Sequence, residues 1–141
     1  MYATQQDLER HSSEQAIIDL TDRAVPGTGS ANADIVNQAL GGASSTIDGY
    51  LRGRYSVPLA SPPAEIRDAC VKLTFKELHV NGAYPEAVRQ DYDDTISWLK
   101  DVSRGVVVLS IDAAPAATKD SEGAQYSGAD RLFTRDTMKS F

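Results

Sequence analysis

The 141-residue chain is short of the groups on which most chemistry depends. It has one cysteine, two histidines and one tryptophan. The lone Cys70 excludes an internal disulfide and fits a reducing compartment. His11 and His79 lie far apart, each without a cysteine or histidine at ligand spacing, so surface or helix-end roles outweigh a metal site. No apolar run approaches the roughly 20 residues that span a bilayer, and no membrane association is expected. The opening MYATQQDLER has neither a basic start nor an apolar stretch, so no secretory signal is expected there. Basic residues are also in the minority, 14 against 20 acidic, for a net charge of −6. That balance argues against a chain that coats nucleic acid, which needs lysines and arginines to neutralise phosphates. It leaves room for a protein that lets DNA pass without holding it.

What is present is a 41% hydrophobic fraction, enough for one packed domain. Thr4 ahead of Asp7, and Ser13 ahead of EQAIIDLTDR, place side-chain oxygens where helix N-termini leave N–H groups unpaired. Ile17, Ile18 and Leu20 supply the buried side of the second short helix. Glycine and proline make residues 24–32 a loop. Val36, Leu40, Ala43, Ile47, Tyr50 and Arg54 then recur at steps of four and three, which predicts a helix from Ala33 to Tyr55. Gly41, Gly42, Gly49 and Gly53 lie within it, each costing about 1 kcal/mol against alanine, and are expected where a neighbour approaches the backbone. Pro58 ends this element by forcing Val57 out of the helical region.

Prolines open a further helix in SPPAEIRDACVKLTFKELHVNG, with Gly82 just past its end. Ile66, Ala69, Cys70 and Leu73 form one apolar row and Val71, Phe75 and Leu78 a second, as in a helix sandwiched between others. Glu65, Asp68, Lys72, Lys76 and His79 mark its exposed side. Pro85 opens the last helix, Val88, Tyr92, Ile96, Leu99 and Val102 line it, and Gly105 closes it. The β-branched run VVVLSI, 106–111, predicts a short strand that needs a partner, within the subunit or from a second one. Trp98, beside Leu99, belongs at the edge of the core and is a candidate interface residue.

From Asp112 to Asp130 the only large hydrophobe is Tyr126, so this stretch cannot build a core. At about 3.3 Å per residue it reaches about 63 Å at full extension. RLFTRDTMKSF follows, bringing back Leu132, Phe133, Met138 and Phe141 beside Arg131, Arg135 and Lys139. A tether with a basic, aromatic hook reads as a docking segment. The fold expectation is therefore all-α: a small bundle of about four helices over residues 1–111, a short β element, and a long extended tail over 112–141.

Local motifs for catalysis are missing. GTGSA, 27–31, lacks the lysine and hydroxyl ending of a phosphate loop and follows no strand. Asp91 and Asp94 in DYDD read as a solvated helix face rather than an acid–base pair. Cys70 sits on an apolar row and reads as core. Neither an enzyme nor a cofactor is expected.

MYATQQDLERH, ASSTIDGYLRGRYSVPL, PEAVRQDYDDTISWLKDVSRG and DRLFTRDTMKSF, in that order, closely resemble the Mu-like phage neck protein family over nearly the whole chain. That family is similar in turn to the head–tail adaptors, or connector proteins, of other long-tailed phages. The resemblance implies a ring of about twelve copies, closed head to tail below the portal protein. Such a ring extends the DNA channel and offers a surface to the next neck or tail-completion protein. It implies a place in the virion neck after assembly in the host cytoplasm, and a C-terminal tail sent to the portal. On that reading Arg131, Leu132, Phe133, Arg135, Met138, Lys139 and Phe141 dock on the portal. Tyr50, Arg54, Tyr55, Trp98, Val106, Val107 and Val108 are the candidate subunit contacts. DNA would pass without specific binding. The competing expectation is a small helical prophage regulator that binds nucleic acid.

Overall fold

The computed structural model describes residues 1–24, 26–80 and 84–111. They form five helices: α1 (Gln5–His11), α2 (Glu14–Thr21), α3 (Ala33–Leu51), α4 (Ala64–Leu78) and α5 (Glu86–Arg104). The all-α expectation holds for them. The hook residues Arg131, Leu132, Phe133, Arg135, Met138, Lys139 and Phe141, with the whole 112–141 tail, lie outside the described residues.

Each helix starts where side-chain chemistry permits. Thr4 and Asp7 form a reciprocal capping box on α1, and Ser13 and Asn32 cap α2 and α3. Hydrogen bonds from Thr4 hold the Asp7 carboxyl below the usual carboxylate range. Pro63 and Pro85 occupy the cap positions of α4 and α5. Gly105 ends α5 at φ 80°, a left-handed conformation that glycine adopts without a Cβ penalty.

The long helices form the bundle. Ser44 on α3 meets Cys70 on α4, while Gly42, earlier on α3, faces Glu77, later on α4, so the two run antiparallel. Lys76 on α4 sits over Tyr92 on α5, and Ala69 shares a groove with Trp98, so α4 and α5 also run antiparallel. α3 and α5 are therefore parallel, and all three pack pairwise. α4 carries the two apolar rows its sequence shows: Ile66, Ala69, Cys70 and Leu73, and Val71 with Leu78, are buried, and Phe75 is half-buried. Burial pushes the Cys70 thiol up, in keeping with a packing role. Four buried hydroxyls resolve their polarity locally, each donating to the carbonyl four residues back: Thr21 to Ile17, Ser44 to Leu40, Thr74 to Cys70 and Thr95 to Asp91.

Three expectations need correction. α3 ends at Leu51 rather than Tyr55. A last turn persists, with the N–H groups of Arg54 and Tyr55 both reaching the Leu51 carbonyl at 2.9 Å, but Gly53 does not sustain regular helix. The buried line accordingly runs Ile47, Leu51, Tyr55, while Tyr50 is half-buried and Arg54 exposed. The Val57–Pro58 peptide bond beyond is cis. Second, residues 106–111 are not a strand, and the described residues contain none. Val106 and Val107 instead donate to the Asp101 carbonyl at the end of α5, and the Ile111 N–H turns back to Leu109. These local bonds use the donors that a ladder would need. Third, Gly41, Gly49 and Gly53 face open space; only Gly42 is approached, by the Glu77 carboxylate, and this by a flexible side chain rather than a backbone. α4 likewise ends at Leu78, ahead of the segment where Gly82 lies.

Candidate functional site

The stretch 46–59 ties both ends of the described chain to the bundle. Tyr2, buried, donates its hydroxyl to the Asp48 carboxylate and accepts the Leu59 N–H at 3.0 Å. Its backbone N–H donates to Ser44 Oγ at 3.2 Å. Burial, reinforced by the Asp48 acceptor, pushes the Tyr2 phenol up to about 12. On the other side, the buried Tyr55 hydroxyl accepts the Leu109 N–H at 3.1 Å. The Arg54 guanidinium lies over Gly105 so closely that a Cβ there would overlap it. A cation at the carboxyl end of α5 also complements the helix dipole.

This anchoring sorts the candidate subunit contacts. Tyr55 is spent within the chain on Leu109, and Tyr50 packs against the core edge. Val107 is half-buried, Leu109 buried, and Val106 and Val108 are 74% and 71% exposed. The alternation typical of extended backbone is kept without a strand partner among the described residues, leaving two valines in solvent.

A second surface lies between α4 and α5. Glu65, Asp68 and Lys72 from α4, and Asp94 and Trp98 from α5, line a groove of about 300 Å³. Trp98 is half-buried at the edge of the core, with part of its indole open to this groove. Glu65, Asp68 and Asp94 have no ion-pair partner among the described residues. The acids were legible in the sequence as a polar helix side; that Trp98 stands among them required knowing how α4 and α5 cross.

An aromatic row lies farther along α4, toward its carboxyl end. His11, Phe75, His79 and Tyr84 meet edge to face at centroid distances of 5.9, 5.1 and 6.4 Å, and Lys76 lies 4.6 Å from the Tyr92 ring centre. Both histidines are thus packed against Phe75; the i,i+4 spacing within α4 indicates the His79 contact, whereas nothing local pointed to His11. Among the described residues no group of three or more His, Cys, Asp or Glu is placed to hold a metal ion, and no helix is long and apolar enough to cross a membrane.

Comparison with known proteins places the chain among phage proteins. It is 38% identical over 106 residues to the Mu-like prophage FluMu protein gp36 of Haemophilus influenzae, covering 75% of this chain and 74% of that one. It is 30% identical over 123 residues to Gene product J of Escherichia phage Mu, covering 86% and 84%. The family model "Bacteriophage Mu, Gp36" matches residues 2–127, a span that takes in the Tyr2 and Tyr55 anchors and the α4–α5 groove and stops short of residues 131–141, and the chain belongs to that family.

Proposed function

We propose that the chain is a structural virion protein, the head–tail adaptor of a Mu-like long-tailed phage. Copies form a ring below the portal protein, extend the DNA channel, and join the head to the next neck or tail-completion protein. The observation that carries this reading is the anchoring of residues 106–111. The Tyr55–Leu109 bond holds them on the bundle and leaves Val106 and Val108 exposed at one corner. A protein built to connect needs such a body, an apolar edge for a neighbour, and a reach to a distant partner.

The roles then divide along the chain. Arg131 and Arg135 pair with portal carboxylates or backbone carbonyls, with Lys139 adding charge, while Leu132, Phe133, Met138 and Phe141 fill apolar pockets. The net charge of −6 suits a bore that must pass DNA without gripping its phosphates. Family membership among Mu-like phage proteins supports the setting.

The test is to size the isolated protein by light scattering, then mix it with purified portal. A monomer that becomes a ring only on the portal is expected, and a variant lacking residues 131–141 should fail to bind. Portal binding that survives the deletion refutes the docking role. Salt-sensitive affinity for duplex DNA in place of portal binding would favour a regulator instead.

A further inference from the structure

We propose that the acidic α4–α5 groove of one copy receives the arginine–valine corner of the next, Arg52, Arg54, Val106 and Val108, and that this is the contact by which copies join head to tail. The inference rests on the ring reading above and names the surfaces that close it.

The topology leaves few faces for such a contact. Three helices packed pairwise present three outer faces. That between α3 and α4 is taken by the N-terminal segment, through Tyr2 on Ser44 and Asp48 and through α1 on α4. That between α3 and α5 carries, at one end, Arg54 over Gly105 and the 106–111 segment on Tyr55. The third, between α4 and α5, is the open groove. Because α4 runs antiparallel to its neighbours, its first turns, with Glu65 and Asp68, lie at the end of the bundle where α3 stops and Arg52 and Arg54 follow. The two surfaces therefore share a height but sit on different faces. A cyclic ring requires just this arrangement, because its subunit contact joins two dissimilar patches related by rotation about one axis.

The chemistry is complementary in both components. Three carboxylates and one ammonium (Glu65, Asp68, Asp94 and Lys72) leave the groove with a net charge of −2. The corner offers two guanidinium groups, and Arg52 and Arg54 have no ion-pair partner among the described residues. The groove's apolar element is Trp98, whose indole can stack a guanidinium or cover a methyl group; the corner's are Val106 and Val108, the most exposed large hydrophobics among the described residues. Charge alone would give a weak, salt-screened encounter, and two valines alone would give little specificity. Together they supply an apolar centre with a charged rim that fixes register. A copy cannot satisfy its own groove with its own corner, since the two lie on different faces of the bundle. The occupant is accordingly a second copy.

Disulfide trapping in full-length protein tests the contact, because the single native cysteine is buried in the core. One chain carries Asp94→Cys and the other Val108→Cys; they are mixed and gently oxidised, both alone and after addition of portal. The expected result is mixed disulfide in about tenfold excess over the two like pairs. The excess should vanish when Arg52→Glu and Arg54→Glu are added to the Val108→Cys chain. It should return when the Asp94→Cys chain also carries Glu65→Lys and Asp68→Lys, which shows that loss reflected charge and not misfolding. A statistical mixture under both conditions, or a mixed product indifferent to the arginine reversals, overturns the proposal. Rings that form on the portal while cross-linking stays statistical refute this contact alone. Failure to bind portal at all refutes the adaptor reading instead.

Discussion

Removing one hydroxyl, in Tyr2→Phe, tests the claim that the 46–59 stretch organises the domain. In the fold that hydroxyl donates to Asp48 and accepts from Leu59, tying together the N-terminal segment, the C-terminal half of α3 and the loop before α4. Phenylalanine keeps the ring packing, so the loss isolates the two hydrogen bonds. A bond to an ionised carboxylate contributes about 1.5–3 kcal/mol, and a half-buried N–H left unpaired costs about 1 kcal/mol, partly recovered by water. The expected net loss is about 2 kcal/mol, or about 8 °C in Tm for a domain of this size. The phenol's titration, shifted chiefly by burial, sets how that gap varies with pH. Moving it from about 10 to about 12 corresponds to at most about 2.7 kcal/mol, a ceiling that solvent near the hydroxyl lowers. The fold holds the neutral phenol, so this stabilisation is complete below pH 10, the value of a free tyrosine, and disappears as pH rises through about 12. Urea unfolding of both proteins, followed by circular dichroism from pH 7 to pH 11.5, should show a gap near 2 kcal/mol that narrows above pH 10. A gap under 0.5 kcal/mol at pH 7, or one that widens above pH 10, refutes the reasoning.

Leu99→Ala, at a fully buried position where α5 meets the bundle, should cost about 2–5 kcal/mol in chemical unfolding. Gly41→Ala should stabilise α3 by about 0.5–1 kcal/mol, since its Cβ would meet only open space. Gly105→Ala should do the reverse and lower Tm, because it forces a left-handed φ on alanine and displaces the Arg54 guanidinium; combining it with Arg54→Ala should recover the displacement part alone. Tyr55→Phe should speed hydrogen exchange at the Leu109 amide while leaving exchange within α3 and α4 unchanged.

Much of the fold was legible from spacing and punctuation. Thr4, Ser13, Pro85 and Gly105 mark helix limits by chemistry that acts within a turn, so no tertiary information was required. The two apolar rows of α4 announced a central helix for the same reason. Where the sequence misled, the missing information was tertiary. Steps of four and three ran on through Tyr50 and Arg54, but the core lies along Leu51 and Tyr55, and the Tyr55 hydroxyl was needed to hold Leu109. VVVLSI carries strand propensity, yet the Asp101 carbonyl takes its first two N–H groups and no second strand is present among the described residues. The glycines of the expected Ala33–Tyr55 helix implied a close neighbour, and Gly41, Gly49 and Gly53 have none. The candidate interface was half visible: Trp98, Arg54, Val106 and Val108 stood out by residue type, whereas the acids around Trp98 acquire meaning only from the crossing of α4 and α5.

The adaptor reading is tested most directly by imaging the neck of a mature particle of the phage that encodes this chain. The account predicts a ring of α3–α5 bundles directly below the portal, with residues 131–141 of each copy seated on portal density. Particles whose neck lacks this chain, or a ring whose C-terminal segments lie on their own bundles, would contradict it.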